Sequence, residues 1–242
     1  MIIGIIAITA VLAGLIQGIT GFGSGIVLMC FLPYLLPISK SAGLVNAITL
    51  FLALVMALQY RKATNLRLMG LPTLVYLVGS SLAIKFAPLI DVGLLKIVFA
   101  LFLLVLAFYF WKYSERIHLR ASILTMLSCG FISGVCDGLF AIGGPLMVLF
   151  YLAVTKNQEE YMGTIQLTFF VAGLYNLILR FYQGVFAGLN LLPIVCGILG
   201  ILVGLALGNR LIPHLKVNLV RNLTYALIGF SGLLTILTSL FQ

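Results

Sequence analysis

The chain is poor in charge. Only 8% of its 242 residues are Asp, Glu, Lys or Arg, against 63% hydrophobic, and the mean hydropathy is +1.25. A soluble globular domain carries about 25% charged residues, so this sequence lacks the polar surface that a water-soluble fold needs. The scarcity is also patterned. No Asp, Glu, Lys, Arg or His occurs in residues 1–39, 41–60, 68–84, 97–111, 121–136, 138–155, 161–179, 181–209 or 222–242. A helix needs about 20 apolar residues to cross the hydrocarbon core of a bilayer. Several of these intervals fit one crossing and some exceed it. The sequence therefore reads as an all-α, multi-pass protein of the cell membrane, with the lipid bilayer as its first partner.

Other scarcities exclude chemistries. The two histidines, His118 and His214, fall in loop stretches, and Asp137 is the lone carboxylate inside an apolar run. That set gives no transition-metal site at membrane depth. Ser24 in a glycine-rich segment invites an intramembrane serine hydrolase, yet no GxSxG pattern surrounds it and no base is near in sequence. Cys30, Cys129, Cys136 and Cys196 all sit in apolar stretches, without metal-ligand spacing or a disulfide framework. No nucleotide-binding glycine motif occurs. No catalytic residue, metal or cofactor is expected. Met1–Ala13 carries no basic residue, unlike a usual cleaved signal peptide. The net charge of +9 suits loops facing anionic lipid, or an anionic solute. Nothing resembles a nucleic-acid-binding domain.

What is present is a duplication. The charged stretch Lys112–Arg120 divides residues 1–111 from residues 121–242. At an offset of 120, Gly14, Gly18, Gly21, Gly23 and Gly25 align with Gly134, Gly138, Ala141, Gly143 and Pro145, Gly43 with Gly163, and Asn46 with Gln166. At an offset of 125, Gly79, Lys85, Pro88 and Lys96 align with Gly204, Arg210, Pro213 and Arg221. Each unit then holds four apolar elements: 3–37, 41–60, 68–87 and 92–111, and 121–155, 161–182, 189–211 and 217–241. The first of each is too long for one crossing and is interrupted by glycines, which weaken a helix by about 1 kcal/mol each. A broken helix or a re-entrant hairpin is expected in both places.

Loop charge discriminates between topologies. If each long element crosses once, seven Lys/Arg fall on either side. If each returns to its own side or crosses twice, one side collects Arg61, Lys62, Arg67, Lys112, Arg116, Arg120, Lys156, Arg210, Lys216 and Arg221, ten in all. The other then keeps four, Lys40, Lys85, Lys96 and Arg180. The second split obeys the positive-inside rule. It makes the units inverted repeats, with both termini on the non-cytoplasmic side.

Inverted repeats with broken helices are a common plan of secondary transporters, whose solute binds where the breaks meet. A helix start offers unpaired N–H groups and a positive dipole end to an anion. Candidate solute-binding residues are Thr20, Gly21, Phe22, Gly23, Ser24 and Gly25 in the first break, and Ile142, Gly143, Gly144 and Pro145 in the second. Asn46 and Gln166, amides at matching positions, join them. Gln17 and Asp137 are candidates for coupling to a proton or sodium ion, or for holding a polar partner. Helix packing through small residues is the competing reading of the glycines, favoured for Gly14, Gly18, Gly134, Gly138 and Gly200–Gly208. Arg180, Lys85, Lys96, Arg210 and Arg221 are expected near helix ends, reaching toward headgroups. Tyr60, Trp111, Tyr113 and Tyr182 read as interfacial anchors.

The segments Gln17–Gly25 with Leu32-Pro33, Ser41–Gly43, Val78-Gly79, Lys96, Gly134 through Ile142-Gly143-Gly144-Pro145, and Arg221 resemble the TauE/SafE family of sulfite and organosulfonate exporters. The resemblance covers nearly the whole chain. It implies secondary transport of a small sulfur-containing or organic anion. A passive anion channel and the serine hydrolase remain the alternatives.

Overall fold

The computed structural model describes residues 2–113, 122–188 and 190–211. Among these residues it is all-helical, with nine α-helices and no strand: α1 Ile2–Thr20, α2 Ser24–Met29, α3 Ile38–Gln59, α4 Leu66–Phe86, α5 Val92–Tyr113, α6 Ile123–Phe140, α7 Gly144–Val154, α8 Gln158–Tyr182 and α9 Leu192–Leu211. The expected last element, 217–241, lies outside the described residues, as do Pro213, His214, Lys216, Arg221 and most of the charged divider with His118. So do the side chains of Trp111 and Tyr113. Seven helices are long and apolar enough to cross a bilayer, and Ser24–Tyr34 and Gly144–Val154 are shorter apolar segments.

Both long first elements break where glycine or a neighbour takes a left-handed backbone. α1 ends at Gly21, with φ 81°, and its N–H closes back on the Gln17 carbonyl at 2.7 Å. α6 ends at Ala141, with φ 53°, and its N–H closes on the Asp137 carbonyl at 2.8 Å. This is the αL C-cap, made with glycine in one unit and with a strained alanine in the other. Gly23, with φ 103°, completes the first break, and Pro145 lies in the first turn of α7, where its missing N–H costs nothing. Beyond the break, the rest of the element 3–37 is a six-residue helix followed by a 3-10 turn at Leu32–Tyr34, because Pro33 has no N–H to continue the helix. Side-chain caps set other starts: Asn65 accepts from Leu68, Ser122 from Thr125 and Asn157 from Glu160.

Small residues then bring helices into backbone contact. α1 packs on α9, α4 on α6, and α3 on α8. A Cβ on Gly14 would collide with the Ile201 carbonyl, and one on Gly134 with the Tyr76 carbonyl. Likewise Gly204 lies against the Val11 carbonyl and Gly79 against that of Phe131. Ala7 meets Gly200 and Leu15 meets Gly208, so α1 and α9 run in the same direction. Pro72 meets Gly130 and Ala83 meets Gly138, so α4 and α6 do likewise. α3 and α8 run in opposite directions: Gly43, early in α3, faces Val185 and Phe186 beyond the end of α8, and Gly163, early in α8, faces Tyr60 and Thr64 beyond the end of α3. Large apolar side chains such as Ile8, Leu12, Leu58, Val105 and Leu199 point outward, as a lipid-facing surface requires. Gly204→Val is expected to separate α9 from α1 at a cost of about 1–3 kcal/mol, read as a lower thermal midpoint in detergent. Gly4→Ala, where an added Cβ meets nothing, is the matched control.

Candidate functional site

The two breaks share one cavity of about 60 Å³ at the mid-length of α3 and α8. Its size admits on the order of four to six water molecules or one small oxyanion, not a drug-sized ligand. Gln17, Gly23, Ser24 and Gly25 come from the first break, and Asp137, Ile142, Gly143 and Gly144 from the second, with Asn46 from α3. Five candidates lie off this lining: Thr20, Gly21, Phe22, Pro145 and Gln166.

Those five have other partners. The Thr20 hydroxyl sits 2.8 Å from the Ile16 carbonyl and 2.7 Å from the Phe22 carbonyl, holding the turn of the first break. Gln166 donates to the Gly21 carbonyl at 2.6 Å and accepts from Gln17 Nε2 at 3.2 Å. Gln17 Oε1 in turn accepts from the Ser24 hydroxyl and from its N–H. One hydrogen-bonded chain thus ties α8, α1 and α2 together, and Gln166 is a brace rather than part of the wall. Pro145 is buried at the start of α7, and Phe22 packs beside Gly144.

The contact between the breaks is intimate. A Cβ on Gly25 would strike the Ala141 carbonyl oxygen, and one on Gly143 would strike the Tyr76 hydroxyl and the Asp137 Cβ. The first-turn N–H groups of α7 have no intrahelical partner and carry the positive end of its dipole. α2, with six residues, has a much weaker dipole, and its Ser24 N–H is already bonded to Gln17. Of the two helix starts at the cavity, the one at Gly143–Gly144 is therefore the stronger.

Ile26, Thr49, Leu50, Ala53, Tyr76, Ala141, Phe169 and Gly173 complete the wall and are not among the sequence candidates, nor are Asn176 and Arg180 behind it. Asp137 is held by α4 and α8. Its carboxylate accepts from Asn176 Nδ2 at 2.6 Å and from the buried Tyr76 hydroxyl. Arg180 donates to the carbonyls of Asp137, at 3.0 Å, and Gly138, at 2.7 Å. Arg180 was expected to reach the headgroups; it is only 3% exposed. Near the end of α8 it meets the C-terminal carbonyls of α6, where a cation complements the negative end of that helix. Asn46 donates from Nδ2 to the Gly173 carbonyl at 3.1 Å, and its Oδ1 is buried with no partner among the described residues.

Ser24 is placed as a link in this network, and Gln17 is its polar partner. Ser24→Ala is expected to cost about 1 kcal/mol of stability, read as a lower thermal midpoint in detergent.

Residues 6–235 match the family model described as Sulfite exporter TauE/SafE. No curated protein and no solved structure matches the chain.

Proposed function

Because the chain belongs to the TauE/SafE family of sulfite exporters, whose members are membrane transporters of sulfur anions, we propose that it is a secondary transporter of the cell membrane. Its solute is sulfite, an organosulfonate or a related small anion, bound in the cavity between the breaks. The observation that carries this reading is that Gly23–Gly25 and Ala141–Gly144, far apart in sequence, line one small cavity. The α7 start supplies N–H groups and a positive dipole end there, and glycine lets a solute approach the backbone.

The architecture in this reading is a pair of inverted repeats, residues 1–111 and 121–242, joined by 112–120. Three packing relations support it. The Gly14 and Gly134 contacts are equivalent under the sequence offsets, and so are the Gly204 and Gly79 contacts. α1·α9 and α6·α4 are therefore exchange-related pairs. α3 and α8, the matched third helices, meet each other running in opposite directions, as repeats of opposite topology require. Movement of one unit against the other would open the cavity alternately to the two sides. The small anion, the bilayer and one coupling ion are the partners in this scheme, and no side chain has a catalytic role.

The test is sulfite movement in proteoliposomes. Saturable, sulfite-selective flux that sulfate and chloride fail to support is the expected result. Linear flux without saturation would establish a channel, and no flux in folded, correctly inserted protein would reject the assignment.

A further inference from the structure

An anion site would not ordinarily include a carboxylate, yet Asp137 lines this cavity and is partly accessible from it. We propose that the cavity binds its anion together with one proton, and that Asp137 is the group that takes the proton. The inference rests on the anion reading above and adds the coupling ion to it.

The charges argue for it. Without solute, Asp137 and Arg180 form a compensated pair: the guanidinium sits on the Asp137 and Gly138 carbonyls, within electrostatic reach of the carboxylate. Charges at membrane depth are costly unless compensated. A solute anion entering the same cavity places a second negative charge beside Asp137 with no second cation in the wall. Among the described lining residues, Asp137 and Tyr76 are the titratable ones; α1, α2, α3 and α7 contribute none. Behind Asp137 stand Cys136 on α6 and Arg180 on α8. Tyr76 donates to the carboxylate, and Arg180 stands outside the cavity wall on the carbonyls behind it, so neither is placed to supply the missing positive charge. A proton on Asp137 removes the repulsion and restores the balance of one anion to one guanidinium. The neutral acid can still accept from Asn176 on one oxygen while the other carries the proton. The proton comes from the aqueous side that the cavity faces, and it returns to water when the anion leaves.

The sign follows from linkage. Anion binding favours protonated Asp137, so affinity is greatest at low pH and falls by about tenfold per pH unit above the titration of Asp137. A neutral amide at that position imitates the protonated acid and makes affinity independent of pH.

The experiment measures proton uptake when sulfite is added to the purified full-length protein in weakly buffered detergent, above the second ionisation of sulfite. Uptake of about one proton per bound anion, lost in Asp137→Asn while sulfite still binds, is the expected result. Equal uptake in both proteins would place the proton on the solute and overturn the proposal, as would binding to the wild type without uptake. Should Asp137→Asn fail to fold, the wild type is titrated with methanesulfonate, whose charge does not change with pH. Affinity that falls with rising pH supports the proposal and constant affinity overturns it. If folded wild-type protein binds no sulfur anion at all, the anion reading itself has failed, and this proposal with it.

Discussion

Gly143→Ala is expected to lower the thermal midpoint more than any other single-methyl addition to the cavity wall, and to abolish the response to sulfite. The new Cβ would occupy the position of the Tyr76 hydroxyl and press on the Asp137 Cβ. Neither neighbour can easily yield. Tyr76 is 1% exposed in the α4–α6 contact, where Gly134 already touches its carbonyl, and Asp137 is held by Asn176 and Tyr76. Overpacking costs about 1–3 kcal/mol, and displacing the Tyr76 hydroxyl forfeits a hydrogen bond to a charged group worth about 1.5–3 kcal/mol. The two losses overlap, so the expected total is about 3 kcal/mol. Gly144→Ala separates this from a general intolerance of side chains at the break. Its Cβ would make ordinary contacts of 3.5 Å with Phe22 and 3.7 Å with Phe169, so its stability should change by less than about 0.5 kcal/mol. Differential scanning fluorimetry of the two variants beside the wild type makes the comparison. Equal midpoints would mean that Tyr76 is not where the account puts it.

Arg180→Met is expected to destabilise by about 3–5 kcal/mol, the usual cost of removing one member of a buried charge pair. The guanidinium serves two purposes. It satisfies the carbonyls at the end of α6, and it compensates the charge of Asp137. The second purpose can be isolated. In the double variant Asp137→Asn with Arg180→Met no carboxylate is left uncompensated, so its loss should be smaller than the sum of the single losses by about 1–3 kcal/mol. Chemical denaturation in detergent, with the four proteins compared at one pH, measures the coupling. Strict additivity would show that Arg180 acts only as a helix cap.

Much of this arrangement is legible in the residues. Charge-free runs give the spans, and Gly21, Gly23 and the Gly143-Gly144-Pro145 triplet mark both breaks, because a left-handed cap and a proline-initiated helix require those residue types. The stripe on α8 was legible in principle. Gln166, Phe169, Gly173, Asn176 and Arg180 recur every three or four residues on one face, and together they mark the side that meets the breaks. Arg180 alone reads as a headgroup anchor because it stands two residues before the end of α8. What redirects it is the end of α6 lying beside it, a contact that only tertiary packing supplies. Tyr76 shares its buried face of α4 with Thr73 and Ser80, but nothing local announces that its hydroxyl reaches Asp137. The short length of α2 was visible in Pro33, since a residue without an N–H ends the hydrogen-bond ladder. Matched spacing with Asn46 suggests a shared solute contact for Gln166, whereas its side chain meets Gln17 and the Gly21 carbonyl.

The central claim is that the cavity between the breaks is where the anion sits. Ala53→Leu tests it most directly, because Ala53 is a buried residue of the α3 wall and leucine there adds carbon to the cavity while leaving the residues of both breaks unchanged. The measurement is the thermal midpoint of wild type and variant across a sulfite titration, since a ligand that binds only the folded state raises the midpoint by mass action. The account predicts a concentration-dependent rise in the wild type and none in the folded variant. The same rise in both proteins would place the anion elsewhere and contradict it.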